Sequence, residues 1–163
     1  MRRASRLESH YENDEARAFF EAPVVRDVCV ELPDEALTDE ERQQDLVGYL
    51  KMSLYGTRDA ATNWQEEIAK YFGSHGFTRG KYNPCLYWCS KKNIKALVHG
   101  DDFVSVGQRS DVQWFRALLS ARFEIKTCVV GSRSDLGEVS EGKVLNRIVH
   151  VTDKGFELES DQR

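Results

Sequence analysis

The chain has 163 residues, 40% of them apolar, enough for one domain with a core of its own. Its apolar runs are only a few residues long, whereas a bilayer span needs ~20, and the basic opening Met1 to Arg6 is followed at once by Glu8, Glu12, Asp14 and Glu15, so neither a membrane segment nor a targeting signal is expected and an intracellular protein is left. The net charge of −4 is uneven: six basic against thirteen acidic residues over 1–45, eight against three over 46–95, and nine against eleven over 96–163, so a basic middle that could meet phosphate lies between acidic ends.

Residues 1–13 are polar and are expected to stand outside the fold as a disordered or non-native N-terminus, since Glu8 to Asn13 lacks the apolar character of a buried strand. Ala16 to Ala22 predicts a short amphipathic turn closed by Pro23. The alternation from Val28 to Leu32 predicts a strand that ends at Pro33. The acid-rich stretch 34–45 offers little for a core beyond Ala36 and Leu37 and reads as a solvated loop or surface helix.

From Arg58 to Ser74, Ala60, Ala61, Trp64, Ile68, Tyr71 and Phe72 recur at helical spacing, with Gly76 placed to close the helix. Cys85 to Cys89, Ile94 to His99 and Phe103 to Val106 predict three strands. A second helix comes next over Asp111 to Arg122, with Ser110 as its cap and Val112, Phe115, Leu118 and Leu119 facing inward. A strand over Phe123 to Val130 and a loop over 131–142 precede a hairpin of Val144 to Val151 and Phe156 to Glu159, turned at Asp153-Lys154-Gly155. This order suits an α+β fold, an antiparallel sheet with helices packed on one face. Cys29, Cys85, Cys89 and Cys128 fit no zinc spacing and read as ordinary buried thiols.

Two adjacent carboxylates, Asp101 and Asp102, come after Gly100 between apolar strands. A plain hairpin turn accounts for Gly-Asp, but two ionised carboxylates side by side also call for a cation. A two-metal site needs a further bridging carboxylate, and Asp14, just ahead of Ala18-Phe19-Phe20, is the candidate. Trp64 reads as core rather than ligand, and Phe20 as the core residue of the Phe19-Phe20 pair.

Taken together, Asp14 to Phe20, the run Ser53-Leu54-Tyr55-Gly56 through Trp64, Asn83-Pro84-Cys85-Leu86-Tyr87, and His99-Gly100-Asp101-Asp102-Phe103-Val104 ending at Gly107 stand in the order of a copia-type (Ty1/copia) retrotransposon reverse transcriptase, whose palm region the chain resembles. The segments from Arg122 to Lys126 and from Val144 to Arg163 resemble the region C-terminal to the palm in such polyproteins. His99-Gly100 stands where many relatives carry an aromatic and a small apolar residue.

The resemblance implies a partial polymerase palm over 14–163, with incomplete fingers and no thumb or RNase H region. It implies that Asp14 and Asp101 hold two Mg2+ ions, with Asp102 supporting them electrostatically or as an outer ligand, and that these residues catalyse nucleotidyl transfer, with an RNA or DNA template, a primer and deoxynucleoside triphosphates as partners. It places Phe19 against the sugar and Tyr55 and Gly56 by the templating pair, and it implies the cytoplasm, in a virus-like particle, or the nucleus. Two other readings stand beside it. One is an inactive retroelement remnant without selected activity. The other, an unrelated metal-dependent phosphohydrolase using Asp101 and Asp102, leaves the Leu-Tyr-Gly to Trp element unexplained.

Overall fold

The computed structural model of the protein describes residues 9–15, 18–44 and 46–160, the first of these stretches by its backbone. Residues 1–8, Ala16, Arg17, Asp45 and 161–163 lie outside the described residues, and with them parts of the first and last segments of the family resemblance. The strands in chain order are β1 Ser9–Glu15, β2 Cys29–Glu31, β3 Val47–Tyr49, β4 Thr78–Arg79, β5 Leu86–Cys89, β6 Ile94–His99, β7 Asp102–Gly107, β8 Ile125–Val130, β9 Glu141–Val144, β10 Arg147–Thr152 and β11 Gly155–Ser160. The helices are α1 Asp39–Gln43, α2 Ala60–Ser74 and α3 Arg109–Ser120. The fold is α+β with antiparallel sheets, and it divides into two compact units, Met1–Arg17 with Ala69–Arg163, and Ala18–Ile68. No described helix is long and apolar enough to cross a membrane.

The larger unit is built on a six-stranded sheet in the order β4-β5-β6-β7-β1-β8, every ladder antiparallel. Side chains alternate between the two faces of a strand. Tyr87, Cys89, Ile94, Ala96, Val98 and Phe103 are buried on one face. There the end of α2 and α3 pack: the Phe72 ring lies 4.9 Å from Tyr87, 6.2 Å from Phe103 and 5.5 Å from Phe115, and Tyr71 donates from its hydroxyl to the Leu118 carbonyl at 2.8 Å. The opposite face is partly covered by a second sheet, β11-β10-β9. Val104 and Val130 of the first sheet form a small core with Val144 and Val149 of the second, flanked by Leu97, Cys128, Val151 and Phe156.

Several expectations are corrected in this unit. Ser9 to Asn13, expected outside the fold, belong to β1, which pairs with β7 on one side and β8 on the other. The backbone ladder explains this: a polar strand offers the same N–H and C=O groups as an apolar one, and two strands that would otherwise show open edges gain partners. The strand expected over Val144 to Val151 is broken by a two-residue turn, Leu145-Asn146, both at positive φ (46° and 60°), so the last hairpin is a three-strand meander. Helix α3 is capped by Gln108, with no side-chain cap bond, rather than by Ser110. Just ahead of it Gly107 packs closely under the helix, where a Cβ would lie 3.1 Å from Val112 Cγ2. Leu118 is only half-buried, whereas Val112, Phe115 and Leu119 are buried as expected. The cysteines are free thiols, but of the four only Cys89 is buried.

The smaller unit begins with a 3-10 helix, Ala18–Glu21, and pairs β2 with β3. Ser53 N–H donates to the Ala22 carbonyl at 2.8 Å, tying the start of the unit to the segment ahead of α2. Arg26 clasps Asp59 through Nε at 3.0 and 3.1 Å. The acidic stretch is exposed and includes α1, whose Thr38 and Glu41 cap each other reciprocally. On α2, Ala60, Trp64 and Ile68 are buried at four-residue spacing, and Trp64 is core as expected. Ala61, one position round the helix, is exposed instead.

Candidate functional site

The end of the six-stranded sheet gathers the acidic residues singled out above. β6 and β7 close on each other through the pair His99 and Asp102, leaving Gly100 and Asp101 as a two-residue turn. Gly100 has φ +62° and Asp101 does not share the positive φ, the pattern of a type II′ hairpin, in which glycine serves at the first turn position. Nothing lies within 4 Å of a Cβ built on Gly100, so the glycine answers a backbone demand and not a lack of room. Asp101 is exposed at the tip and Asp102 is half-buried at the start of β7.

Asp14 stands directly opposite Asp102 in the β1–β7 ladder, and opposite Lys126 in the β1–β8 ladder. His99, Asp102, Asp14 and Lys126 therefore form one row across four adjacent strands, with Asp101 one residue away in the turn. Directly opposed residues have Cα atoms about 4.5–5.5 Å apart and share a face of the sheet. That separation suits carboxylates of one hard-cation site, whose preferred ligands are oxygens. Among the described residues no group of three His, Cys, Asp or Glu side chains is gathered for a metal ion. Asp14, the third carboxylate, enters through its backbone register alone.

Phe19, Tyr55 and Gly56 belong to the smaller unit. The Phe19 and Tyr55 rings stack at 4.3 Å with 27° between their planes, and Phe20 meets Tyr55 edge-on at 5.5 Å. Phe20 is 42% exposed and Phe19 half-buried, which reverses the expectation that Phe20 is the core residue. The stack on Tyr55 accounts for it: covering Phe19 takes one ring face out of water, while Phe20 meets Tyr55 only in an edge contact. Gly56 has φ +89° and open space where a Cβ would stand, so here too the backbone conformation requires glycine. Behind the turn, buried Asn63 donates to Ser53 Oγ at 3.0 Å, which satisfies both polar groups and steadies the segment that carries Tyr55.

One polar arrangement of the larger unit has no signal in the sequence. Glu138 is 7% exposed and accepts from Arg109 Nε at 2.8 Å and from the Arg133 backbone N–H at 2.9 Å. Arg109 and Glu138 lie 29 positions apart, on a helix and a loop that nothing in the residue pattern relates. They border an open groove of about 1170 Å³ beside Val151 and Phe156. Both arginines there are neutralised, Arg109 by Glu138 and Arg133 by Asp135. The hydrogen bond from Arg133 holds the Asp135 carboxyl below the usual carboxylate range.

No protein-family model matches the chain.

Proposed function

We propose that the chain is part of the palm of an RNA-directed DNA polymerase of the copia-type retrotransposon class, with nucleotidyl transfer as the reaction of the intact protein. The observation that carries this reading is the register that sets Asp14 opposite Asp102, one residue from Asp101 in the hairpin turn. These are the three carboxylates singled out from the family resemblance, and they come from segments more than eighty positions apart in the sequence. A plain hairpin turn would give no reason for a third acid, on a separate strand, to share their row.

In this reading Asp14 and Asp101 hold two magnesium ions, with Asp102 as an additional acidic neighbour. Bound there, such ions make the primer 3′-hydroxyl a better nucleophile and neutralise charge on the triphosphate. The 3′-hydroxyl gives its proton to water, its oxygen forms a bond to the α-phosphorus, the bond from that phosphorus to the bridging oxygen breaks, and pyrophosphate leaves. The three aspartates position the reacting groups through their carboxylate oxygens. The ring of Phe19, braced by Tyr55, is assigned to the sugar, where it would disfavour a 2′-hydroxyl by steric exclusion.

Primer extension by the purified chain on an RNA template, with Mg2+ and deoxynucleoside triphosphates, tests the reading. Extension above that of the Asp101→Asn, Asp102→Asn double variant would carry the reading, the double variant losing it by a factor of about 100 or more. Extension no greater than that of the double variant would favour the inactive-remnant reading.

A further inference from the structure

We infer that the exposed strand surface around Trp88 is a stacking platform for single-stranded nucleic acid, separate from the acidic row. It rests on the polymerase reading, since it concerns how a template strand is held. Charge is the first indication. Residues 68–100 contain no Asp or Glu and six basic residues, Lys70, Arg79, Lys81, Lys91, Lys92 and Lys95, in a chain of net charge −4. This stretch supplies β4, β5 and β6, one whole side of the main sheet.

The faces of these strands differ sharply. Tyr87 and Cys89 are 4% and 2% exposed against the helices, whereas their neighbours Leu86 and Trp88 are 45% and 51% exposed on the other face. A tryptophan half open to water on a sheet face leaves a large aromatic surface that no described residue buries. Trp88 is paired across the ladder with exposed Lys95, and Leu86 with Leu97. Just ahead of β5, Tyr82 is 96% exposed beside exposed Lys81. Lys92, Arg79 and Lys70 do not contribute: Lys92 pairs with Asp111 at 3.6 Å and covers the Trp114 ring, Arg79 stands opposite Tyr87 in the ladder and donates to the Pro84 carbonyl at 2.8 Å, and Lys70 is on α2, which packs on the opposite face.

An aromatic ring beside a lysine, in a stretch free of acids, matches the needs of an unpaired polynucleotide: a base stacks on the ring and the phosphates are met by the cations. A duplex hides its base faces and cannot use the ring. The charge pattern also disfavours an acid-poor apolar protein partner, which would gain nothing from the surrounding lysines. By ladder register, Trp88 and Asp102 share a sheet face and lie roughly 16 Å apart, two strands across and four residues along. A strand resting on Trp88 would thus pass close to the acidic row without occupying it.

The test is fluorescence anisotropy with a labelled twenty-nucleotide oligo-dT, and with a duplex of equal length, on the full chain and its Trp88→Ala, Trp88→Phe and Lys95→Ala variants. Trp88→Ala should weaken single-strand binding about tenfold and duplex binding less than threefold, Trp88→Phe should retain most of the affinity, and Lys95→Ala should flatten the salt dependence. Circular dichroism of each variant checks that the fold is kept, as the exposure of Trp88 leads one to expect. Equal losses for single strand and duplex, or Trp88→Ala binding within twofold of the parent chain, overturn the inference. So does an oligomer of the parent chain that Trp88→Ala dissolves, which would mean that a second copy covers the ring. Binding requires no turnover. Trp88-dependent binding without primer extension keeps the platform and favours the inactive-remnant reading, and the reverse result rejects the platform alone.

Discussion

At the residue scale, the acidic row draws its meaning from register. Asp101 and Asp102 by themselves are what a hairpin tip often carries, and Asp14 by itself is an acid in a polar segment. Under the polymerase reading proposed above, a divalent cation bound at the row would relieve the repulsion between Asp14 and Asp102, which stand opposite each other in one ladder. A ligand that binds only the folded state raises its stability by RT ln(1 + [L]/Kd), which is about 1.4 kcal/mol at ten times Kd. Addition of Mg2+ should therefore raise the thermal midpoint by roughly 3–6 °C. Asp14→Asn should abolish that rise, as followed by differential scanning fluorimetry. A rise of equal size in the variant would place the cation elsewhere.

At the scale of single elements, two features show the backbone and its caps overruling simple pattern. Leu145 holds a left-handed conformation that costs an ordinary L-residue about 1–2 kcal/mol, and the residue is 37% exposed. Replacing Leu145-Asn146 by Asn-Gly, the pair favoured in such turns, should stabilise the protein by about 1 kcal/mol in urea unfolding. A lowered midpoint would mean that Leu145 is held by contacts stronger than the strain. In α1, the backbone N–H of Thr38, and then its hydroxyl, donate to the Glu41 carboxylate and hold its pKa below the ordinary glutamate value. A carboxylate with a lowered folded pKa adds stability above its unfolded pKa and loses it as pH falls through the folded one. The helix should therefore loosen between the ordinary glutamate value and the lowered one. Thr38→Ala should move the Glu41 titration, read by carboxyl carbon NMR, back toward that ordinary value.

For the molecule as a whole, stability of the larger unit converges on Phe72. Its ring meets Phe77, Tyr87, Phe103 and Phe115, drawn from a loop, two strands and a helix. Truncation to alanine should cost about 3–5 kcal/mol in equilibrium unfolding, as for other large aromatic side chains removed from cores. A loss under about 1 kcal/mol would show that this layer can collapse around the gap. The second sheet rests on a smaller group of valines, and its covering of Val104 and Val130 leaves Trp88 and Leu86 open on the same side of the main sheet.

The residue pattern alone determined much of this architecture. The four-residue spacing of Trp64, Ile68 and Phe72 marks α2, the inward positions of α3 are legible from Val112, Phe115 and Leu119, and β6 has the bounds read from its apolar run. These elements were legible because periodic burial writes itself into neighbouring residues. The place of Asp14 was not. Ser9 to Glu15 are ordered by hydrogen bonds of the main chain, which leave no trace in side-chain hydropathy, and they meet β7 only after the intervening chain has folded back. Glu138 escaped for the same reason, since its burial depends on Arg109 across a loop. The sequence determined which acids were candidates for a site. Long-range strand pairing, specified by no local signal, decided that Asp14, Asp101 and Asp102 stand at one end of one sheet.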